Sequence, residues 1–360
     1  MRFGIPKEIS EIANTLEKAG FKAYLVGGCV RDFLLNVFGL NLGVAPKDWD
    51  IATDAKPEEI QKIFPDSVYE NQFGTVAVKI SNNEPLGSKT RIVEITTFRL
   101  EGKYSDKRHP DEIKFASTIE EDLGRRDFTI NAMAMKANDK FDVVDPFDGQ
   151  KDLKDGVIRT VGNPSERFNE DALRLMRAVR FATELDFKIE KTTAEAIKKQ
   201  AGLLEMIAKE RIRDELQKII MAFKAAPGIQ MLENLGLLKF IMPELREGID
   251  CGQNKHHIYT VFEHNVRALD YAAGKNYSLE VRLASLLHDV GKPRTKAGDG
   301  LNSTFYNHEV VGAKMTAKIM DRLRFSKEIV EKVTHLVRSH LFYYNVGEVT
   351  ESGVRRFLSR

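Results

Sequence analysis

The sequence predicts an α+β domain followed by all-helical domains, and two observations support this prediction. Before residue 147, short runs such as TVAVKI and RIVEITTFR alternate apolar and polar residues, which is typical of strands with one buried face. After residue 148, apolar residues recur every three or four positions in longer runs, which is typical of amphipathic helices. We therefore expect three domains, at residues 1–147, 148–250 and 251–360, with the polar stretch PELREGIDCGQNKHH as the last linker.

Composition limits the classes of function. The chain has 360 residues, of which 42% are hydrophobic and 30% are charged, so it can fill the cores of two or three domains. A net charge of +2 means that nucleic-acid binding would need local basic surfaces. Two distant cysteines exclude a thiolate zinc site and fit a reduced, cytoplasmic protein. No apolar run is long enough to span a membrane, and the charged N-terminus is not a signal peptide. The sequence carries no signal that indicates the oligomeric state.

The segment KDWDIAT places two acids, Asp48 and Asp50, in a predicted short strand. Residues i and i+2 of a strand point to the same face, so these carboxylates would lie side by side and repel each other. A pair of solvated acids at a strand end is one interpretation. The other is a site for divalent cations, which would neutralise the repulsion.

The segment LVGGCVRD precedes these acids and reads as a strand that turns into a helix at Gly27 and Gly28. Backbone N–H groups at a glycine turn and a helix N-terminus suit phosphate. Together with the neighbouring acids, this turn predicts a nucleotide site in which metal ions lie between phosphates and carboxylates. Two ions can stabilise both the attacking and the leaving oxygen of an in-line displacement.

Five segments in order, LVGGCVRDFLLN, KDWDIAT, EDLGRRDFTINAMAM, DPFDGQKDL and NEDALRLMRAVRF, carry a family resemblance. They are similar to the motifs of class II tRNA nucleotidyltransferases and bacterial poly(A) polymerases, which belong to the polymerase β-like nucleotidyltransferase superfamily. The resemblance covers about residues 20 to 225. It implies a nucleotidyltransferase head followed by a helical neck and body that selects bases and binds RNA.

The resemblance also implies roles for individual residues. Asp48 and Asp50 would hold two catalytic Mg²⁺ ions, and Asp171 and Arg174 would select the base. Asp127 would contact the ribose hydroxyl, although it is also a good helix N-cap. The remaining nucleotide contacts would come from glycines, an asparagine and arginines: Gly27, Gly28, Arg31, Arg125, Arg126, Asn131, Arg177 and Arg180.

Three local predictions accompany these roles. DFTINAMAM is expected to begin a helix, and FNEDALRLMRAVRF is expected to be one helix capped at or beside Asn169. Asp171 and Arg174 would then share a helix face, where an ordinary salt bridge is the alternative to a base reader. Glu94 would face either the acid pair or solvent, and RLEGKYSDKRHPDEIKF resembles the family's flexible loop.

The last part of the chain places histidines on successive predicted helices, with an adjacent His-Asp pair in LLHDVGK. It resembles an HD-type metal-dependent phosphohydrolase domain. Imidazole and carboxylate ligands from separate helices can hold Mn²⁺, Mg²⁺, Fe²⁺ or Ni²⁺. The candidate ligands are His264, His288, Asp289, His308, His335 and His340. The family usually adds a final aspartate, which does not follow His340, so we expect the domain to be truncated at its C-terminal end.

The sequence thus predicts an RNA 3′-end nucleotidyltransferase that uses CTP and ATP to complete or repair the CCA end of tRNA. The HD-type domain would hydrolyse phosphomonoesters or 2′,3′-cyclic phosphates, or would only help to hold RNA. A poly(A) polymerase and an enzyme that adds only CC or only A are alternatives with the same motifs. A different class of function is an RNA-binding module whose HD-type domain carries the only chemistry.

Overall fold

The computed structural model describes residues 4–40, 46, 48–71, 74–80, 91–102, 113–137, 142–253, 258–298 and 300–341. The chain divides into two compact units, Met1–Ile207 and Ala208–Arg360. The first unit contains all the described strands and the second is helical, so the predicted fold class is confirmed. The three predicted domain boundaries remain a prediction. None of the described helices is both long and apolar enough to cross a membrane.

The strands of the first unit are short. They are β1 (Ala23–Val26), β2 (Asp50–Thr53), β3 (Ser67–Asn71), β4 (Thr75–Ile80), β5 (Arg91–Thr97), β6 (Arg99–Glu101), β7 (Ile113–Phe115), β8 (Ala134–Met135), β9 (Val143–Val144), β10 (Val157–Ile158) and β11 (Lys188–Ile189). Within the described residues, seven of them form one sheet in the order β3-β4-β5-β2-β1-β8-β9, while β6 pairs with β7 and β10 with β11.

Helices cover the sheet and form the rest of the first unit. They are α1 (Lys7–Lys18), α2 (Gly28–Val37), α3 (Pro57–Ile63), α4 (Ile119–Gly124), α5 (Gly149–Asp155), α6 (Pro164–Glu170), α7 (Arg174–Leu185) and α8 (Lys191–Gln200). The second unit contains α9 (Lys209–Met221), α10 (Ala225–Asn234), α11 (Leu238–Ile241), α12 (Pro243–Arg246), α13 (Val261–Gly274), α14 (Leu279–Leu287), α15 (Lys292–Thr295), α16 (His308–Arg322) and α17 (Lys327–Ser339).

The acids at the centre of the sheet share their face with buried apolar residues, Val26 among them. Asp50 lies opposite Val26 of β1 and, in the parallel pair of β2 with β5, beside Glu94. The next residue of β2, Ile51, is fully buried and lies beside the equally buried Ile95. Because neighbours along a strand point to opposite faces, burial of the apolar row fixes the register and turns the acids to the other face.

Three local sequence predictions were wrong. Asp48 precedes β2 instead of lying inside it. The segment after Asp127 forms only a 3₁₀ turn at Thr129–Asn131 before β8. The predicted single helix around Asn169 is two helices, α6 and α7, because Asp171 is extended (φ −132°, ψ 105°) and its Oδ1 accepts a hydrogen bond from the N–H of Leu173 at 3.0 Å. A short acidic side chain that bonds nearby backbone competes with helix continuation.

The second unit has a buried arginine at its centre. Arg282 of α14 is 1% exposed, and burial lowers the pKa of its guanidinium. It donates to the carbonyl oxygens of Ile220 and Ala222 at the end of α9, both at 3.0 Å. It also donates to Tyr277 O at 3.0 Å, just beyond α13. One guanidinium thus satisfies carbonyl groups that helix ends leave without partners.

Two glycines bring α15 close to α16. A Cβ placed on Gly291 would lie 2.3 Å from His308 O and 2.5 Å from Gly312 N, which is closer than atoms can approach. A Cβ on Gly312 would meet its nearest neighbour, Gly291 N, at 3.4 Å, an ordinary contact. The start of α16 therefore packs directly against the backbone of Gly291, just before α15.

We predict that Gly291→Ala destabilises the second unit by about 2 kcal/mol or more, because backbone must move to make room. Gly312→Ala should cost little or should stabilise by up to about 1 kcal/mol, since alanine favours the helix interior. Hydrogen exchange of the α16 amides in the whole chain measures both effects. Equal protection in the two variants would contradict the close approach at Gly291.

Candidate functional site

The acid pair lies at the start of β2. Asp48 is exposed and Asp50 is partly buried. Burial raises the pKa of Asp50, the Arg126 guanidinium counteracts this effect, and the Asp48 charge adds to it. Asp48 lies two residues before Asp50, just outside β2. The exposed Glu94 stands beside Asp50 in the sheet, so the strand register places a third acid on the same face.

The glycine turn adjoins this acid pair. Gly27 has φ +77°, which favours glycine, and Gly28 begins α2. The Gly27 N–H donates to Met133 O in a long hydrogen bond of 3.4 Å. A Cβ on Gly27 would lie 2.8 Å from Arg126 Nη1 and 4.0 Å from Asp50 Oδ2. The turn, a guanidinium and a carboxylate therefore meet at one place.

A buried aspartate organises the residues expected to bind the nucleotide. Arg177 donates to Asp127 Oδ2 from Nε at 2.8 Å and from Nη2 at 2.5 Å. Asn131 donates to Asp127 Oδ1 at 3.2 Å, and Arg31 donates to Asn131 Oδ1 at 2.9 Å. Burial alone would raise the pKa of Asp127, but the charges of Arg177 and Arg174 and the hydrogen bonds outweigh it and lower the pKa to about 2. Asp127 is therefore ionised at neutral pH. It is not the N-cap of the 3₁₀ turn that follows, which begins after Phe128.

Three arginines surround one aromatic ring in the same region. The guanidinium carbons of Arg31 and Arg177 each lie 5.2 Å from the ring centre of Phe181, and that of Arg180 lies 4.0 Å from it. Arg180 also donates to Glu184 at 3.2 Å. Contacts between a cation and an aromatic face are attractive and limit where a guanidinium can move. The ring thus helps to keep like charges together.

The two predicted base-selecting residues flank the break between α6 and α7. Arg174 is the first residue of α7 and is 7% exposed. Its Nη1 donates to Glu170 Oε2 at 2.6 Å, and its Nη2 donates to Arg125 O at 3.1 Å. Glu170 also pairs with Arg167. The guanidinium is therefore fixed by a glutamate and a carbonyl group, while Asp171 Oδ1 accepts a hydrogen bond from the N–H of Leu173 just before α7.

A cluster of histidines surrounds Asp289 in the second unit. His264 Nε2 and His288 Nε2 are 3.1 Å apart and lie 3.4 and 3.3 Å from Asp289 Oδ2. His308 Nε2 and His340 Nε2 are 3.3 Å apart and lie 3.3 and 3.6 Å from Asp289 Oδ1. These residues form two groups of possible metal ligands that share Asp289.

The tautomers of these histidines favour a cation. Nδ1 lies close to a carbonyl oxygen three residues earlier in His288 (2.9 Å), His308 (2.7 Å) and His340 (2.7 Å). Only an N–H can approach a carbonyl oxygen in this way, so the neutral ring presents an acceptor at Nε2. The Nε2 acceptors of His308 and His340 face each other at 3.3 Å and repel unless a cation lies between them. In the part of the chain that the structure describes, buried Asp289 Oδ1 also accepts no hydrogen bond. The residues fit a divalent metal.

Lys292 and Gln253 complete the surroundings of this cluster. Lys292 Nζ lies 2.7 Å from Asp289 Oδ2 and donates to Gln253 Oε1 at 2.8 Å. Burial alone would raise the pKa of Asp289, but the surrounding histidines outweigh burial and hold the pKa well below its usual range. His335 is exposed on α17 and belongs to neither group of possible ligands among the described residues. The expectation that no final aspartate ligand follows His340 concerns residues 342–360, which lie outside the described residues.

Three domain models match the chain. The poly A polymerase head domain matches residues 23–159, a probable RNA and SrmB-binding site of polymerase A matches 186–249, and the HD domain matches 261–354. The CCA-adding enzymes of Ligilactobacillus salivarius and Listeria monocytogenes are 50% and 45% identical to the chain over 240 residues, or 66% of it. These alignments cover 55% of each relative, so the chain spans about half the length of the curated relatives it matches.

A crystal structure of the Bacillus stearothermophilus CCA-adding enzyme in complex with CTP decides the family. It is 30% identical, with a TM-score of 0.60, over 98% of this chain and 82% of that one. The chain belongs to the CCA-adding enzyme family. The Thermotoga maritima CCA-adding enzyme complexed with tRNA, at 24% identity, has the same fold, with a TM-score of 0.61 over 92% of this chain and 69% of that one. Membership of this family confirms the predicted resemblance.

Several side chains that hold the predicted residues were missed at the level of sequence. Asp122, Glu170 and Phe181 contact the arginines of the first unit, and Lys292 contacts Asp289. Some had a local signal, because Asp122 precedes Arg125 and Arg126 by three and four residues, and Glu170 precedes Arg174 by four, which is the spacing of helical ion pairs. Phe181 had no signal beyond its position beside Arg180.

We predict that the purified protein binds a divalent transition metal. His288→Ala and His340→Ala should each lower the affinity for this metal by at least about tenfold. This loss follows because each removes an Nε2 ligand. Elemental analysis after dialysis against limiting Mn²⁺ or Ni²⁺ measures the loss. His335→Ala is the matched control and should retain the metal. Absence of metal in the wild-type protein, or an equal loss in His335→Ala, would contradict the proposed ligand set.

Proposed function

We propose that the chain is a template-independent RNA 3′-end nucleotidyltransferase that adds C and A from CTP and ATP to tRNA. The observation that carries the proposal is the meeting of Asp50, the Gly27 turn and Arg126 beside a cluster of arginines. Carboxylates that bind cations and guanidinium groups that bind phosphate are the two parts that nucleotidyl transfer requires. A relative that is 30% identical over most of both chains was crystallised with CTP, which supports the same ligand here.

In the proposed reaction, the 3′ hydroxyl of the RNA attacks the α-phosphorus of the nucleoside triphosphate. A new P–O bond forms to the RNA and the hydroxyl proton passes to solvent. The bond between the α-phosphorus and the bridging oxygen breaks, and pyrophosphate leaves with the electron pair. Asp48 and Asp50 would hold two Mg²⁺ ions, which polarise the phosphate oxygens and stabilise the charge that develops. Glu94 is proposed as a third acid because it stands beside Asp50 in the sheet.

The positive groups have separate proposed tasks. The Gly28 N–H would face phosphate oxygens together with Arg31, Arg125 and Arg126, while Gly27, without a side chain, would let the phosphate approach the turn. Asp127 is already bonded to Arg177 and Asn131, so we propose that it positions these side chains as well as contacting ribose. Arg177 and Arg180, grouped around Phe181, would face the triphosphate. A charged and pre-organised group of donors needs little rearrangement when the nucleotide binds.

Base selection is proposed for Asp171 and Arg174. Cytosine and adenine share an exocyclic amino donor beside a ring nitrogen acceptor, so a carboxylate and a guanidinium can each make one hydrogen bond to them. Uracil and guanine present a carbonyl group beside a ring N–H. The carbonyl group would then face the carboxylate, and the ring N–H would face the guanidinium. Arg174 suits this task because Glu170 and the Arg125 carbonyl fix its position.

A second function is proposed for the histidine cluster. His264, His288, Asp289, His308 and His340 fit a divalent metal, and such sites activate water for attack on phosphate esters. We therefore propose a metal-dependent phosphohydrolase that acts on phosphomonoesters or 2′,3′-cyclic phosphates. Mn²⁺, Ni²⁺ and Mg²⁺ are the candidate ions. Lys292, already bound to Asp289, would hold the carboxylate in place.

The test of the main proposal uses tRNA transcripts that end before the first C, the second C or the A. Labelled CTP and ATP are supplied separately, and products are resolved on a gel. We expect CTP to extend the first two transcripts and ATP to extend the third, with no tail on unrelated RNA. Long A tails would favour a poly(A) polymerase, and extension of one kind of transcript alone would favour a CC-only or A-only enzyme.

In the same assay, Asp48→Asn and Asp50→Asn should each lower the rate by at least about 10³-fold, because the cation loses a charged ligand. Asp54→Asn is the matched control, since Asp54 accepts a hydrogen bond from the N–H of Lys22 just beyond the same strand. It should keep nearly the wild-type rate. Near wild-type activity of both Asp48→Asn and Asp50→Asn in Mg²⁺ would exclude the proposed metal clamp.

Asp171→Ala should raise the incorporation of UTP relative to CTP by about tenfold, because it removes one of two mismatched contacts that cost about 1–3 kcal/mol each. Competition between labelled nucleotides measures the ratio. Glu166→Ala, on the exposed side of α6, should leave the ratio unchanged. If Asp171→Ala keeps the wild-type preference and only lowers stability, the base is read elsewhere.

A further inference from the structure

Asp122 is a buried acid that the proposed reaction does not use directly. It lies in α4, is 1% exposed, and holds two arginines. Arg125 donates to its Oδ1 from Nε at 3.0 Å and from Nη2 at 2.9 Å, while Arg126 donates to its Oδ2 at 3.3 Å. The backbone N–H of Arg99, at the start of β6, donates to Oδ1 at 3.3 Å. One carboxylate therefore joins two arginines to a neighbouring hairpin.

The far side of Arg126 is aimed at the glycine turn. Its Nη1 stands 2.8 Å from the position of a Cβ on Gly27, and Asp50 Oδ2 is 4.0 Å from that position. Its Nη2 donates to Asp122, which leaves Nη1 turned toward Gly27. An anion at the turn would accept a hydrogen bond from Nη1.

The burial of Asp122 separates it from an ordinary surface ion pair. Burial alone would raise its pKa, but the charges of Arg125 and Arg126 outweigh burial and lower the pKa. The side chains of these arginines are 16% and 19% exposed. Removing the carboxylate would leave two partly buried cations that repel each other, so the arginines would move apart.

We propose that Asp122 is a positioning residue that fixes Arg125 and Arg126 for the β- and γ-phosphates of the incoming nucleotide. This inference rests on the proposed nucleotidyltransferase function. Asp122 acts on binding of the triphosphate and not of the nucleoside, because the side chains that it holds are those of Arg125 and Arg126. The affinity ratio of CTP to CMP is therefore the quantity that Asp122 controls.

The experiment measures the dissociation constants of CTP and CMP for the whole chain in Mg²⁺ by titration calorimetry. We expect Asp122→Asn to weaken CTP binding by about tenfold or more and CMP binding by less than about threefold, since a charge-assisted contact is lost only at the phosphates. Asp152→Asn is the matched control. Asp152 is also buried and paired with an arginine, Arg159, at 3.0 Å, but it contacts none of the proposed phosphate arginines in the described structure. It should lower the melting temperature and keep the affinity ratio.

A second variant protects the test against misfolding. If Asp122→Asn does not fold, Arg126→Gln keeps the carboxylate and should lower the CTP to CMP ratio by the same amount. Equal weakening of CTP and CMP, or a change in melting temperature alone, would overturn the positioning role. Failure of the wild-type chain to bind CTP more tightly than CMP, or to extend tRNA, would instead count against the proposed function itself.

Discussion

The structure of the first unit depends on one electrostatic constraint, which is the concentration of acids at the centre of its sheet. The register of β1, β2 and β5 places Asp50 opposite Val26 and beside Glu94, with Asp48 just before the strand. Burial and like charge raise the pKa of Asp50. Positive charge must lie close by, and Arg126 reaches this place only because Gly27 has no side chain. A bound cation would complete the balance.

The same logic extends through the arginines. Clustered arginines repel each other unless anions lie between them. Two buried aspartates, Asp122 and Asp127, provide the negative charge from the two ends of one short segment, residues 122–127. Phe181 packs against the cluster and Glu170 fixes Arg174 at the start of α7. A triphosphate would enter a site in which the donors are already oriented. In the second unit the excess is of acceptors: histidine nitrogens and a carboxylate lie together, and a bound cation would balance them.

Some of this arrangement followed from sequence and some did not. The acid pair and the glycine turn are local signals, so a metal and phosphate site could be proposed there, while the roles of individual residues came from the family resemblance. Glu94 could not be placed, because its neighbour Asp50 is set by a parallel pairing between distant segments. The helix break at Asp171 reflects a local hydrogen bond that periodicity does not show. His335 and His340 are five residues apart, so they point roughly 140° apart around α17, and helical geometry separates them.

Anomalous diffraction from crystals grown with Mn²⁺ and a CTP analogue whose α–β linkage cannot be cleaved tests the central claim most directly. The account predicts Mn²⁺ bound by both Asp48 and Asp50, with a phosphate oxygen accepting a hydrogen bond from Arg126 Nη1 beside Gly27. Mn²⁺ absent from these two carboxylates, with the triphosphate bound away from the glycine turn, would contradict it.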